Sequence, residues 1–395
     1  MKGSSSALLL STLAMVVSFS VWTVMSPIAS QLQEAYGFGS VERSILVAIP
    51  VLLGSIMRIP MGILTDRYGG KKVYTITMLS LVFPLVAAGF ADSYAWLLMS
   101  AFFIGMAGTT FAIAITYVSK WYPPEKQGLV LGIAGMGNFG TAAVSFTIPT
   151  IVLVFGLSWA FWGLAILIGL MAIIFWFGTK ESEVQEQPSS IKDSLSVMKM
   201  KATWVLSLFY FLTFGGFVAF SVYMPTLLQD EFLFSAVGAG MISALFITIA
   251  TFIRPLGGYL ADKFGTDNIL STVFVGAIGA ALIISFLIND LTFFVASCFL
   301  LAFLFGIGNG AVFKLVPEVS KGNTGAVTGV VGAIGGLGGF FPPIMLGFIN
   351  QYTGSYVLGF VFLGAFGFVC LLVHYKFMKQ RKHRQALSSG KTQTA

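Results

Sequence analysis

Apolar stretches long enough to cross a bilayer recur twelve times along this chain, and they leave room for little else. They run roughly over residues 7–32, 44–65, 73–91, 94–119, 128–155, 158–178, 203–228, 234–261, 269–288, 291–313, 325–350 and 354–378. A helix needs about 20 such residues to span the hydrocarbon core, and inside lipid every backbone polar group must be paired within the segment. Only 9% of the residues are charged and 57% are hydrophobic, far from the balance of a soluble domain. The short alternating segments of a membrane barrel are absent. The chain is therefore read as an all-α membrane protein of twelve transmembrane helices.

Basic residues orient the spans. Apart from Arg43, Arg58 and Arg254, the other 19 of the 22 Lys and Arg lie on one side or at its boundary: Lys2, the 66–72 loop, Lys120, Lys126, the 180–201 loop, Lys263, Lys314, Lys321 and the tail from Lys376. Arg43 falls in the first loop on the opposite side, where loops also carry Glu34, Glu42, Asp92, Asp230, Glu231 and Asp290. Both termini are expected on the cytoplasmic side of a cell membrane, the inner membrane of a bacterium. The net charge of +7 reflects this asymmetry and not a nucleic-acid partner. The first span is longer than a signal-peptide core and is read as a retained helix. Cys298 and Cys370 both fall inside spans, which implies packing and neither a disulfide framework nor a metal site. No cofactor is expected, and the chain is read as a monomer in lipid.

Two arginines interrupt the apolar pattern. Arg58 and Arg254 each precede an aspartate by eight residues, Asp66 and Asp262. A guanidinium inside the membrane is costly and keeps its proton, so it marks a functional site by default. No Asp or Glu falls in any predicted span interior, and Arg58 lies about 12 Å along a helix from Asp66, deep for snorkelling to an interface. The chain also repeats. Pro27 matches Pro225, Arg58 matches Arg254 and Gly128 matches Gly325, at offsets of 198, 196 and 197. The long polar stretch at 179–201 separates a six-helix half, 1–178, from a second, 202–378, with a tail at 379–395 whose last residues, Ser388 to Ala395, read as disordered. Parallel halves around a midplane site are a transporter architecture. Two guanidinia about 8 Å apart at an effective dielectric near 20 repel by roughly 2 kcal/mol, which a bound monovalent anion relieves.

Several motifs carry a family resemblance. Gly62-Ile-Leu-Thr-Asp66-Arg67-Tyr-Gly69-Gly70-Lys71-Lys72, with its weaker counterpart Gly258-Tyr-Leu-Ala-Asp262-Lys263-Phe-Gly265, resembles the loop signature of the major facilitator superfamily. The glycine-rich segments from Gly128 to Gly140 and from Gly325 to Pro343 resemble the paired nitrate signatures of its nitrate/nitrite porter family. With Arg58, Arg254 and Gly308-Asn309-Gly310, the likeness covers the whole chain and points to the nitrite-extruding bacterial branch.

The resemblance implies a transporter of nitrate and nitrite whose anion sits between Arg58 and Arg254. It places Phe111, Asn138, Tyr210, Phe214, Gly137, Gly332 and Gly335 beside the substrate, and gives Asp66, Arg67 and Asp262 a gating role at helix ends. From the residues alone, most of 39 Phe must be core or lipid-facing, Asn138 reads equally as an interhelical hydrogen bond, and the aromatics supply shape more than charge. The stripe Gly325, Gly329, Gly332, Gly336 and Gly339 lies on one helical face and is read first as close helix packing, as is the shorter Gly128, Gly132 and Gly135, a reading compatible with space left beside the site for a small substrate. Lys314 reads as an interfacial cation, and neither His374 nor His383 as a proton relay. With no titratable group in the predicted interior, one-for-one exchange is the expected mode. Proton symport, another small organic anion as cargo, and a transporter-like anion sensor stay open. Nothing in the sequence suggests an enzyme: it has no nucleotide loop, no metal cluster and only two His.

Overall fold

The computed structural model describes residues 2–122, 124–181, 196–319 and 324–390, and every regular element among them is helical. Eleven helices are long and apolar enough to cross a membrane, and Ser40–Ile56 with Arg58–Tyr68, bent by 42°, supplies a twelfth. Span 1 joins Lys2–Trp22 to Ala29–Tyr36, span 2 is the bent pair, span 3 is Gly70–Gly89 and span 4 runs from Tyr94 to Ser119. Span 5 joins Pro124–Gly135 to Phe139–Phe155, span 6 is Leu157–Gly178, span 7 joins Lys201–Tyr210 to Gly216–Phe232 and span 8 joins Ala236–Phe252 to Arg254–Phe264. Spans 9 and 10 are Thr266–Leu287 and Leu291–Val319, span 11 joins Thr324–Leu337 to Phe341–Thr353, and span 12 is Val357–Gly390.

Large apolar side chains point outward as well as inward. Phe83, Phe177 and Phe286 are 78%, 82% and 82% exposed, a surface that suits hydrocarbon and not water. The interior between spans is filled by residues such as Trp22, Tyr74, Tyr117, Phe161, Phe175 and Phe209, all essentially buried.

The breaks in spans 2 and 8 have a local cause. Pro60 and Pro255 lack the N–H that would bond the carbonyls of Ile56 and Thr251, so the helix is interrupted just ahead of each proline. Arg58 and Arg254 are each the first residue after the interruption. Span 7 is distorted differently, by a π-helical turn at Phe211–Gly215; such turns often mark functional positions.

Three expectations change. Arg43 and Asp230 lie within helices and not in loops, and they form an ion pair that joins span 2 to span 7. The helices outrun their apolar stretches, which hides both residues from a hydropathy reading. Span 12 continues to Gly390, so residues 379–390 extend the helix and 388–390 are not irregular; the run from Lys379 to Ser389 holds no proline or glycine to stop it. The 182–195 part of the linker and residues 391–395 lie outside the described residues. The glycine stripes, finally, are only partly packing faces. A methyl on Gly132, Gly135, Gly329 or Gly332 would meet nothing within 4 Å, whereas one on Gly137 would strike Met15 and one on Gly140 the Val16 carbonyl. Spans 1 and 5 therefore approach through Gly137 and Gly140, with Ser20 Oγ donating to the Gly140 carbonyl at 2.9 Å.

The seam between the two halves differs from one face to the other. On the face away from the termini it is closed: Arg43 Nη1 donates to Asp230 Oδ1 at 3.0 Å and Nη2 to Oδ2, while Tyr356 Oη donates to Asp230 Oδ2 at 2.6 Å. Ser44 Oγ and Tyr223 Oη share a bond of 2.9 Å, and Ser26 Oγ donates to the Val222 carbonyl at 2.6 Å. Towards the termini, open space faces Gly132 and Gly135 of span 5 and Gly329 and Gly332 of span 11.

Candidate functional site

Arg58 is 2% exposed in the middle of this seam. Its Nε donates to the Gly108 carbonyl of span 4 at 3.3 Å, and its Nη1 crosses to the Gly332 carbonyl of span 11 at 3.0 Å. Its Nη2 is buried with no hydrogen-bond partner. Three rings surround the guanidinium, with Cζ 5.7 Å from the centroid of Trp22, 5.1 Å from Phe111 and 5.3 Å from Phe214. Negative ring faces partly offset a charge that has left water.

Arg254 is held from the other half. Its Nη2 donates to Tyr210 Oη at 3.0 Å, its Cζ lies 5.3 Å from the Phe313 ring, and its Nη1 is buried without a partner. Tyr210 and Phe214 stack at 4.8 Å with planes 2° apart, so one pair of rings bridges the two arginines. Tyr210 meets Phe313 edge-on at 4.9 Å, and Phe111 lies 6.4 Å from Phe214. The π-helical turn begins directly after Tyr210 and contains Phe214.

Small residues let these side chains in. A methyl on Gly335 would enter the Tyr210 ring, and one on Gly336 would strike Ser55 while meeting Arg58 Nη1 at 3.4 Å. Asn138, at a 3₁₀ break in span 5, is 2% exposed, and its Oδ1 has no hydrogen-bond partner. Asn309 in span 10 is in the same condition.

The described ion pairs are Arg43–Asp230, Lys120–Asp66 at 2.9 Å and Lys314–Asp262. None of them includes Arg58 or Arg254, so both guanidinia stand without a carboxylate among the described residues. The arrangement is a pair of buried or half-buried cations, each with one N–H group unspent, lined by rings and carbonyls.

The structure thus brings Arg58, Arg254, Phe111, Tyr210, Phe214, Gly332 and Gly335 together. Asn138 is buried but not bonded to either arginine, and Gly137 packs on span 1. Asp66 and Asp262 pair with Lys120 and Lys314 within their own halves, and Arg67 is exposed. Trp22 and Phe313 were not foreseen; among 39 Phe and 7 Trp no spacing singles them out.

With two six-span halves and this seam in place, the comparison with known families is decisive. The family model described as Major Facilitator Superfamily matches residues 10–343. The chain belongs to the Major Facilitator Superfamily. Within the superfamily it is 37% identical over 382 residues to a probable nitrate transporter, NarT, of Staphylococcus epidermidis, covering 97% of this chain and 98% of that protein. It is 38% identical over 384 residues to the nitrite extrusion protein of Bacillus subtilis, covering 96% and 97%. Solved superfamily structures share the fold. A bacterial homologue of the human lysosomal transporter Spinster, inward-facing and occupied, superposes with a TM-score of 0.73 at 19% identity over 96% of this chain and 97% of that one. The human organic anion transporter MFSD10 gives 0.76 at 15% identity over 94% and 99%.

Proposed function

We propose that this protein exchanges nitrate for nitrite across the bacterial plasma membrane by alternating access, with one anion held between Arg58 and Arg254. The observation that carries this reading is the pair of guanidinia on opposite sides of one seam, neither paired with a carboxylate among the described residues and each retaining an unpaired N–H. The names of the relatives supply the substrate. A planar oxyanion matches the guanidinium fork. The rings bridging the arginines exclude water and fix the slot's width.

Exchange follows from charge. Importing one uncompensated anion against 100 mV costs about 2.3 kcal/mol, and trading one anion for another avoids this. Mutual repulsion of the empty arginines disfavours closing without cargo, so transit is faster when loaded. The Asp66–Lys120 and Asp262–Lys314 pairs lie at helix ends near the terminal face, where a gate must open and shut. Both termini are cytoplasmic in this reading, the protein works as a monomer, and it needs no cofactor.

One observation favours a second reading. Asp230, which the sequence places in a loop, is a carboxylate held in the seam by Arg43 and Tyr356, and proton symport would need a carboxylate so placed. Counterflow in liposomes separates the two. Trapped nitrite is expected to accelerate nitrate entry with little response to voltage; acceleration by an inward proton gradient, with no trapped anion required, supports symport instead.

A further inference from the structure

Ser55 and Thr251 stand three residues before Arg58 and Arg254, so the two hydroxyls share the 196-residue offset of the two arginines. The match extends along both helices. Ser44, Ala48, Val51, Ser55 and Arg58 step by 4, 3, 4 and 3 along span 2, and Gly240, Ala244, Ile247, Thr251 and Arg254 repeat those steps along span 8. Such steps place each set on one helical face. The contacts show where these faces look. A methyl on Gly347 or Gly336 of span 11 would strike Ser44 Oγ or Ser55 Oγ, and a methyl on Gly240 would strike the Ser145 carbonyl of span 5. Each face is turned to the opposite half, and each hydroxyl sits one turn from its arginine on the closed side of the seam.

Neither hydroxyl is satisfied. Ser55 is 0% and Thr251 4% exposed, and neither oxygen has a hydrogen-bond partner. Many helical Ser and Thr here donate to the carbonyl four residues earlier, as Thr65, Thr77, Thr213 and Thr248 do. Ser55 and Thr251 do not. Ser11 with Ser207 and Ser30 with Thr226 also lack partners at the same offset, but those pairs lie on spans 1 and 7, whereas Ser55 and Thr251 share their spans with the two arginines. A buried hydroxyl without a partner is costly, and a group that lacks one in the protein is poised for one in a ligand.

We infer that Ser55 and Thr251 are specificity-determining ligands, their hydroxyls donating to oxygens of the bound anion that the arginines do not reach. Together with Arg58 Nη2 and Arg254 Nη1 they make a donor set drawn equally from the two halves. This rests on the anion reading above and adds selectivity to it. A polyatomic oxyanion presents separate oxygens to guanidinium and hydroxyl, whereas a halide offers a single sphere. The arginines thus attract any small anion, and the hydroxyls favour nitrate and nitrite over chloride.

The test is equilibrium binding of nitrate and of chloride to the full-length protein in detergent, for the native chain and for Ser55→Ala, Thr251→Val and their combination. Each single variant is expected to bind nitrate about tenfold more weakly, while chloride affinity moves by less than about twofold. The double variant should be weaker than either. Thr251→Ser keeps the hydroxyl and should keep native affinity, and unchanged anion-free unfolding midpoints would show that the fold survives. Native nitrate affinity in both single variants, with Arg58→Lys still losing it, overturns this inference and leaves the arginine site standing. Equal weakening of nitrate and chloride overturns the selectivity. A native protein that binds no nitrate removes the arginine reading and this one together.

Discussion

Lysine at position 58 or 254 is expected to cut nitrate transport by at least about a hundredfold, although the formal charge is kept. The reason lies in what each guanidinium does at once. Arg58 spends two donors on the carbonyls of Gly108 and Gly332, lies against three rings and still offers Nη2. An ammonium has no plane with which to divide its donors that way, and its stronger hydration makes burial among rings more costly. The two sites should differ in their side effects. Arg58→Lys loses a bond that crosses the seam, so it should also lower the unfolding midpoint. Arg254→Lys gives up the Tyr210 hydrogen bond and the guanidinium contact with the Phe313 ring, both within its own half, and should leave stability closer to native. Uptake of labelled nitrate into proteoliposomes, at matched amounts of folded protein, reads both effects. Native rates in either variant would mean that the fork is not used.

The second large effect concerns the opposite face. Asp230→Asn is expected to open the seam away from the termini, because it leaves Arg43, at 5% exposure, beside a neutral partner. Breaking a buried pair by removing one member costs about 3–5 kcal/mol. Asp230 is part-exposed, with 23% of its side chain accessible, so a figure nearer about 2 kcal/mol is reasonable. That suffices to redistribute two access states separated by a few kcal/mol. Tyr356 Oη would lose its carboxylate acceptor at the same time, while Asn350 Nδ2 still donates to Tyr356 at 3.0 Å. Spin labels at Glu34 and Leu233, on the ends of spans 1 and 7, should report longer separations in Asp230→Asn. The charge exchange Arg43→Asp with Asp230→Arg should restore the short one. Labels can be attached through introduced cysteines because Cys298 and Cys370 are both buried. An unchanged distance distribution would show that the pair does not hold the seam.

The parts of the protein visible in its sequence are those governed by period and composition. Twelve apolar runs give twelve spans because lipid imposes one length on a helix. The common offset of Arg58 and Arg254 gives their equivalence because a duplicated half preserves spacing. The same logic reaches Tyr210 and Phe214, four apart and therefore on one helical face. What stayed hidden depends on which surfaces meet. Arg43 and Asp230 are 187 residues apart and lie beyond the apolar cores of their helices, so each alone resembles a loop charge. Glycine spacing identifies a face but not its neighbour, and Gly132 and Gly332 look onto space where packing was expected. Trp22 and Phe313 are ordinary aromatics until the fold sets them over a cation. Ser55 and Thr251 could have been found, since they keep the arginines' offset, but a hydroxyl in a span is too common to notice until its missing partner is seen.

The most direct test is an experimental structure of the full chain with nitrate bound. Flat density lying between the guanidinium groups, within hydrogen-bonding distance of Arg58 Nη2 and Arg254 Nη1 and bordered by the stacked rings of Tyr210 and Phe214, is the predicted result. Nitrate lodged elsewhere in the seam, with both of those N–H groups turned to water or to protein carbonyls, would contradict the account.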